Sequence, residues 1–401
     1  MSKSILFVVN NLNIGGPQKS LLSLFYNFPS DYQIDLIVLN GELSLKKYLP
    51  SNVNVIKISS EYTLLMLNKK NIFKTIFRNL FINPKLSFKA GILLSKNVFN
   101  DSLVKKKQTF WVNNKHLIKN KKNKTYDFAI GVSGGHSIMY IVDFINAKNK
   151  VGWIRTEYQN LNRNLEIDYE YFRKLDSILS VSKQCTKKFI EFFPDQRRKI
   201  HTFYNPLPYK MYEALFTNKS VTQKNNSISI TTVSRLDKNK GFDLLMEAAR
   251  YLKDNNYNFV WNIYGVGPIK KNIIKELKEY KLEEYVFLKG FEFNTGSVLK
   301  NTDILVHPSK FEGKSNTIDE AKYYGIPIVA TNYPTVGEQL TANHNALISE
   351  MNGKSLYIGI AKLIDNPLLR EEFRAVLVSE RENNENIFQK FMYTLEGGDS
   401  Q

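Results

Sequence analysis

Short β-branched and aromatic runs alternate with helical patterns along this chain, and the whole alternation occurs twice. In the first half the strand-like runs fall at 5–9, 34–39, 53–58, 127–132, 150–154, 177–181 and 200–204, with helical patterns at 17–28 and 183–193. In the second half they fall at 228–234, 259–264, 286–288, 303–307 and 326–331, with helices at 242–253, 269–280 and 316–324. Parallel strands need long crossovers, and helices supply them. The pattern therefore predicts an α/β chain with two doubly wound parallel sheets. At roughly 150 residues per domain, 401 residues also suit two or three domains. The boundaries read as a first domain at 1–208, a polar linker at 209–226, a second domain at 227–378, and a C-terminal piece at 379–401. Its 383–395 stretch has a helical pattern and is placed to cross back to the first domain. Ligands of such sheets bind beyond the carboxyl ends of the strands, so two of them are expected to share a cleft.

Charge narrows the partners. There are 56 Lys+Arg against 38 Asp+Glu, a net charge of +18. Fifteen Lys/Arg and a single acid, Asp101, lie between Lys69 and Lys124, so +14 of that excess sits in one segment. Within it Ile72, Phe73, Ile76, Phe77, Leu80 and Phe81 recur at helical spacing, with Lys70, Lys74 and Arg78 predicted on the other side. Such a helix either lies in an anionic lipid interface or packs its stripe on a core beneath a solvated basic face. Zinc-finger spacing, RNA-recognition signatures and aromatics interleaved with base-reading groups are all missing, so nucleic acid is not an expected partner.

A 43% apolar and 23% charged composition excludes wholesale disorder. The lone cysteine, Cys185, excludes an internal disulfide framework and a Cys-rich zinc site, and fits a reducing compartment. No run approaches the ~18–20 apolar residues of a membrane span. The apolar run of the first strand is shorter than the about 7–15 residues of a signal-peptide core. A cytoplasmic chain able to sit on the inner face of the membrane is the expectation.

Four stretches carry candidate chemistry, each following a strand. In the first, Glu312, Gly313, Lys314, Ser315, Asn316 and Thr317 lead into a helix that contains Glu320. Glycine admits close approach of a ligand, and free amides at a helix start favour an anion. Two carboxylates beside an anion site suit the hydroxyls of a ligand that also carries phosphates, such as a nucleotide sugar. The alternative is an ordinary strand-to-helix turn with solvated acids. In the second, Arg235 and Lys240 lie on one loop, able to neutralise a diphosphate or to be mere surface charge. Gly265 with Gly267, and Gly15 with Gly16, form two glycine turns that serve either a ligand or simple turn geometry.

Glu312 and Glu320, eight residues apart after Phe311, resemble the paired-glutamate motif of retaining glycosyltransferase family 4. Ser234-Arg235-Leu236 with Lys240-Gly241-Phe242, Tyr264-Gly265 with Gly267-Pro268, Asn205-Pro206 and the Gly15-Gly16 turn are similar to the other signatures of that family, in its order, from about residue 5 to 340. The stretch from Glu312 to Lys322, with Pro327 to Asn332, resembles bacterial enzymes of capsule and surface-polysaccharide assembly.

The resemblance implies a GT-B fold: two facing Rossmann-like domains, the acceptor mostly on the first and the nucleotide sugar mostly on the second. It implies transfer of a hexose or N-acetylhexosamine from a donor, expected to be a UDP-sugar, to a lipid-linked saccharide or surface glycan, with no metal or other cofactor. Arg235 and Lys240 would hold the diphosphate, Glu312 the sugar hydroxyls and Glu320 the ribose. Amides near Gly313–Asn316 and the Gly15-Gly16 turn would approach sugar and phosphates. One departure stands out. Relatives often carry a histidine after Trp-Ile of a first-domain strand, where this chain has Arg155 after Trp153 and Ile154. Arg155 would face a different donor or an acidic acceptor, or mark reduced activity, and His136 is either a second cleft residue or structural. Two further readings remain: a nucleotide-sugar epimerase of the same fold, and a binding protein with a weakened site.

Overall fold

The computed structural model describes residues 3–67, 72–95, 103–119, 124–216, 227–380 and 386–398. It divides into two compact units, Met1–Asn205 with Asn386–Gln401, and Pro206–Glu385.

Among the described residues the first unit holds a seven-stranded parallel sheet. Its strands are β1 (Ile5–Val9), β2 (Ile34–Val38), β3 (Val53–Ile56), β4 (Thr125–Val132), β5 (Asn146–Ile154), β6 (Ser177–Ser180) and β7 (Ile200–Thr202), in the order β3-β2-β1-β4-β5-β6-β7. All five residues of β1 are buried, as helices on both faces of a parallel sheet require. β5 begins at Asn146, four residues before its apolar run. Those extra residues pair with β4 but outrun β6, so polar side chains are tolerated at an open edge.

The helix Ile387–Leu395 belongs to this unit. Phe391 stacks on Phe7 with centroids 6.0 Å apart and also meets Phe28, Trp153 and Phe203. The returning segment thus covers β1 with an aromatic plug.

The basic stretch between β3 and β4 folds as helices Ser60–Leu65, Ile72–Asn79, Pro84–Ser95 and Leu103–Asn114. Lys69 and Lys70 lie outside the described residues, as do 96–102 and 120–123. The single stripe expected over 72–81 is divided. Ile72 and Ile76 pack inward, whereas Phe73, Phe77, Leu80 and Phe81 point out beside Lys74 and Arg78. Buried Asn79 decides the rotation: it accepts from Ser60 Oγ at 3.1 Å and donates to the Thr75 carbonyl at 2.8 Å.

The second unit holds a six-stranded parallel sheet among the described residues, in the order β10-β9-β8-β11-β12-β13. Its strands are β8 (Ile228–Val233), β9 (Phe259–Tyr264), β10 (Val286–Gly290), β11 (Ile304–His307), β12 (Ile328–Thr331) and β13 (Leu347–Ser349). The stretch 209–226 is not linker from its start. It opens with the helix Tyr209–Leu215, which packs into this unit because Met211 and Tyr212 are buried, while 217–226 lie outside the described residues.

Strand order reverses between β1 and β4 in the first unit and between β8 and β11 in the second. Loops leaving such a switch point diverge to opposite faces of the sheet and leave a crevice at its carboxyl edge.

Candidate functional site

The second unit's switch point is built by the loops after β8 and β11. Gly241 ends the first of these with φ +64, the left-handed region that costs other residues most. A Cβ there would lie 1.8 Å from the Pro308 carbonyl oxygen, so the two loops cross in direct contact. The Lys310 amide donates to the Asn239 carbonyl at 2.9 Å and holds the crossing.

This crossing brings two predicted residues together. Lys240 Nζ donates to Glu312 Oε1 at 2.6 Å. Ser309 Oγ donates to the same oxygen at 3.1 Å, and His307 Nε2 lies 3.3 Å from it. Burial pushes the Glu312 carboxyl up, but the His307 contact and the Lys240 charge together outweigh it and hold the group at about 2. Glu312 is therefore a carboxylate at neutral pH, a pure acceptor. Thr335 Oγ1 fixes its backbone by donating to the Glu312 carbonyl at 3.0 Å.

Arg235 lies on the same loop as Lys240 with 70% of its side chain exposed. Its nearest acid, Asp237, is 3.9 Å away, so the guanidinium is held only weakly in place.

The helix Asn316–Tyr324 starts beside Glu312. Ser315 caps it by accepting from the Ile318 amide, and Lys314 pairs with Asp319 of the first turn. The Ser315 amide itself donates to Gln339 Oε1 at 2.8 Å, so it is not one of the amides open to an anion. Thr317 Oγ1 donates to the Val233 carbonyl at 3.2 Å and ties the helix to the end of β8.

Glu320, one turn further on, is 4% exposed. Its Oε2 accepts from Thr295 Oγ1 and from Tyr212 Oη, the latter at 3.4 Å, and those two hydroxyls are 2.7 Å apart. Glu320 is thus held inside a buried hydroxyl cluster, whereas Glu312 is held mainly by a cation.

Gly265 and Gly267 follow β9. A Cβ on either would run into the loop after β8, 1.8 Å from the Ser234 carbonyl oxygen or 2.1 Å from that of Leu236. Their small size therefore serves to seat the Arg235 loop.

Three groups of predicted residues fall in the first unit. Gly15 precedes the helix Gly16–Phe25 after β1, with no side-chain cap bond. His136 opens the helix His136–Phe144 after β4, and its ring lies against Trp111 with centroids 5.3 Å apart and planes tilted by 38°. Its Nε2 is buried with no hydrogen-bond partner among the described residues. Arg155, just past β5, lies 4.6 Å from the Trp153 ring centroid and donates from Nη2 to Asn205 Oδ1 at 2.7 Å. Burial lowers its guanidinium to about 9.

Sequence reasoning missed His307, Ser309, Thr295, Tyr212 and Gln339. His307, at the carboxyl end of β11, had a usable signal. A histidine closing an apolar strand five residues before a candidate acid is well placed to meet it.

Residues 216–376 match the family model described as glycosyl transferases group 1. This stretch contains Arg235, Lys240, Glu312 and Glu320. The likeness to that family is carried by this stretch. Escherichia coli WcaL, named for a glycosyltransferase of colanic acid biosynthesis, is 27% identical over 184 residues, 44% of this chain and 45% of that protein. A Campylobacter jejuni protein named as an N-acetylgalactosamine-N,N'-diacetylbacillosaminyl-diphospho-undecaprenol 4-alpha-N-acetylgalactosaminyltransferase is 26% identical over 227 residues, 56% of this chain and 60% of its own. The chain therefore spans about half the length of these relatives. Among solved structures, S. aureus TarM, crystallised with UDP, fondaparinux and alpha-GlcNAc-glycerol, superposes with a TM-score of 0.66 at 17% identity, covering 98% of this chain and 99% of that one. The fold is GT-B, as the resemblance implied.

Proposed function

We propose that the chain is a retaining glycosyltransferase of bacterial surface-polysaccharide assembly. It would move a hexose or N-acetylhexosamine from a UDP-sugar to a lipid-linked or surface-glycan acceptor at the inner face of the membrane. The observation that carries the reading is the Lys240–Glu312 contact at the switch point, with exposed Arg235 on the same loop. The names of the relatives support the substrate classes: colanic acid, a diphospho-undecaprenol acceptor and, for TarM, UDP.

The chemistry follows from the charges. Arg235 and Lys240 offset the charge that builds on the diphosphate as the sugar C1–oxygen bond breaks and its electron pair leaves with UDP. Glu312, ionised and fixed from three sides, accepts hydrogen bonds from sugar hydroxyls. The acceptor hydroxyl joins C1 on the face the diphosphate leaves, and its proton passes to the departing phosphate oxygen. Glu320 is assigned to the ribose, with the buried Thr295 and Tyr212 hydroxyls holding its carboxyl in place, and no metal or other cofactor has a role in this scheme.

The test is a panel of nucleotide sugars screened first by thermal shift, then by UDP release with and without lipid-linked acceptor. UDP formed only with acceptor supports transfer. Epimerised donor formed without acceptor would instead favour the epimerase, and binding without turnover a weakened site.

A further inference from the structure

The helices Ile72–Asn79 and Pro84–Ser95 present a face that the unit's own core does not cover. Phe73, Phe77, Phe81 and Phe88 are 78, 67, 86 and 69% exposed, and Leu80, Ile82 and Ile92 join them. Isolated exposed apolar residues are ordinary, but four phenylalanines on two adjacent helices and the turn between them are not. Phe77 and Phe81 touch each other at 6.3 Å, so the patch is continuous there.

The inner sides of both helices fix this orientation. Ile72, Asn79, Leu86 and Ala90 are buried. Asn83 caps the second helix by accepting from the Leu86 amide at 3.1 Å, and its side-chain amide donates to the Leu117 carbonyl at 2.8 Å. Turning the phenylalanines inward would break these bonds.

Lys74, Arg78, Lys85 and Lys89 are all exposed among the phenylalanines, and residues 72–95 contain no Asp or Glu. Among the described residues none of these four cations makes an ion pair. A second copy of the chain is a poor occupant, because a two-fold contact would set this positive face against itself. An anionic bilayer matches both properties: rings enter the acyl boundary while cations meet the headgroups.

We infer that this two-helix face docks the chain on an anionic lipid surface, with Phe73, Phe77, Phe81 and Phe88 inserted and Lys74, Arg78, Lys85 and Lys89 on the headgroups. The inference deepens the membrane-facing part of the proposed function. Its test needs neither donor nor acceptor, so its failure leaves the transfer reading standing.

Full-length protein is floated with vesicles of phosphatidylcholine alone and of phosphatidylcholine with phosphatidylglycerol. Binding to the anionic vesicles is expected, lowered at least about tenfold by F73A/F77A/F81A/F88A and, separately, by K74E/R78E/K85E/K89E. Thermal melts check that both variants remain folded. Phe77→Trp reports the insertion directly: its emission should shift to the blue and be quenched by brominated acyl chains. Equal binding to neutral vesicles, or unchanged binding of either folded variant, overturns the inference. So does retention on nucleic acid without vesicle binding, or a wild-type dimer that the phenylalanine variant abolishes.

Discussion

Lys240 Nζ and Glu312 Oε1 lie 2.6 Å apart although 72 residues separate them in sequence. The contact exists because Gly241 lets the loop after β8 cross the loop after β11 against the Pro308 carbonyl. The ammonium helps keep the carboxylate ionised against its burial, and the carboxylate holds the ammonium in place.

Removing either partner should strike turnover before stability. Lys240→Ala and Glu312→Gln are each expected to lower kcat about 10²–10³-fold, the scale of losing one donor to developing charge. Because the two side chains touch, the double variant should lose less than the product of the single losses. Steady-state rates with a UDP-sugar and acceptor, and melting curves run alongside, check this. Near-normal rates in both single variants would remove the site assignment.

Tyr212→Phe isolates the role of the Glu320 cluster. The substitution keeps the ring and deletes the hydroxyl that bonds Thr295 and Glu320. It leaves the buried Glu320 carboxyl short of a hydrogen-bond partner, at a cost of about 1–3 kcal/mol. Urea unfolding should show that loss. A Tyr212→Phe midpoint equal to wild type would show that the hydroxyl carries no stability.

Much of this was readable from the chain and some was not. Strands such as β1 stood out because burial on both faces leaves an uninterrupted apolar run. Arg235, Lys240 and Glu312 stood out because loops at strand ends carry charge and glycine where core packing does not demand them, and Glu320 by its spacing from Glu312. Tyr212 and Thr295 did not, because a hydroxyl in a helix carries no sign of a carboxylate 108 or 25 residues away. The helix Ile72–Asn79 shows a different limit. Its periodicity tells which residues share a face, but not which face the rest of the chain covers, and the buried asparagine that settles the question reads as polar in sequence.

Gly241→Ala should damage the site without touching a charged group. The new methyl would meet the Pro308 carbonyl at 1.8 Å, and the left-handed backbone adds its own strain. The expected cost is about 3 kcal/mol or more, with UDP affinity falling as the Lys240 loop lifts away. Calorimetric titration with UDP and a melting curve measure the two effects. Tight UDP binding in the variant would mean the crossing of the loops is not needed to shape the site.

His136 gives the first unit an acid-sensitive term. Burial, reinforced by the Arg163 and Lys107 charges, lowers the imidazole from its ordinary 6.5 to about 3. Between those pH values the folded protein keeps a neutral ring while the unfolded chain takes up a proton. The stabilisation is therefore complete above about pH 6.5 and is lost as pH falls towards 3. His136→Gln cannot bind that proton and should show a shallower loss of stability from pH 7 to pH 4. Urea unfolding followed by tryptophan fluorescence suits the measurement, since Trp111 lies against the His136 ring. Parallel stability profiles for the two proteins would mean that the histidine titrates alike in the folded and unfolded chains.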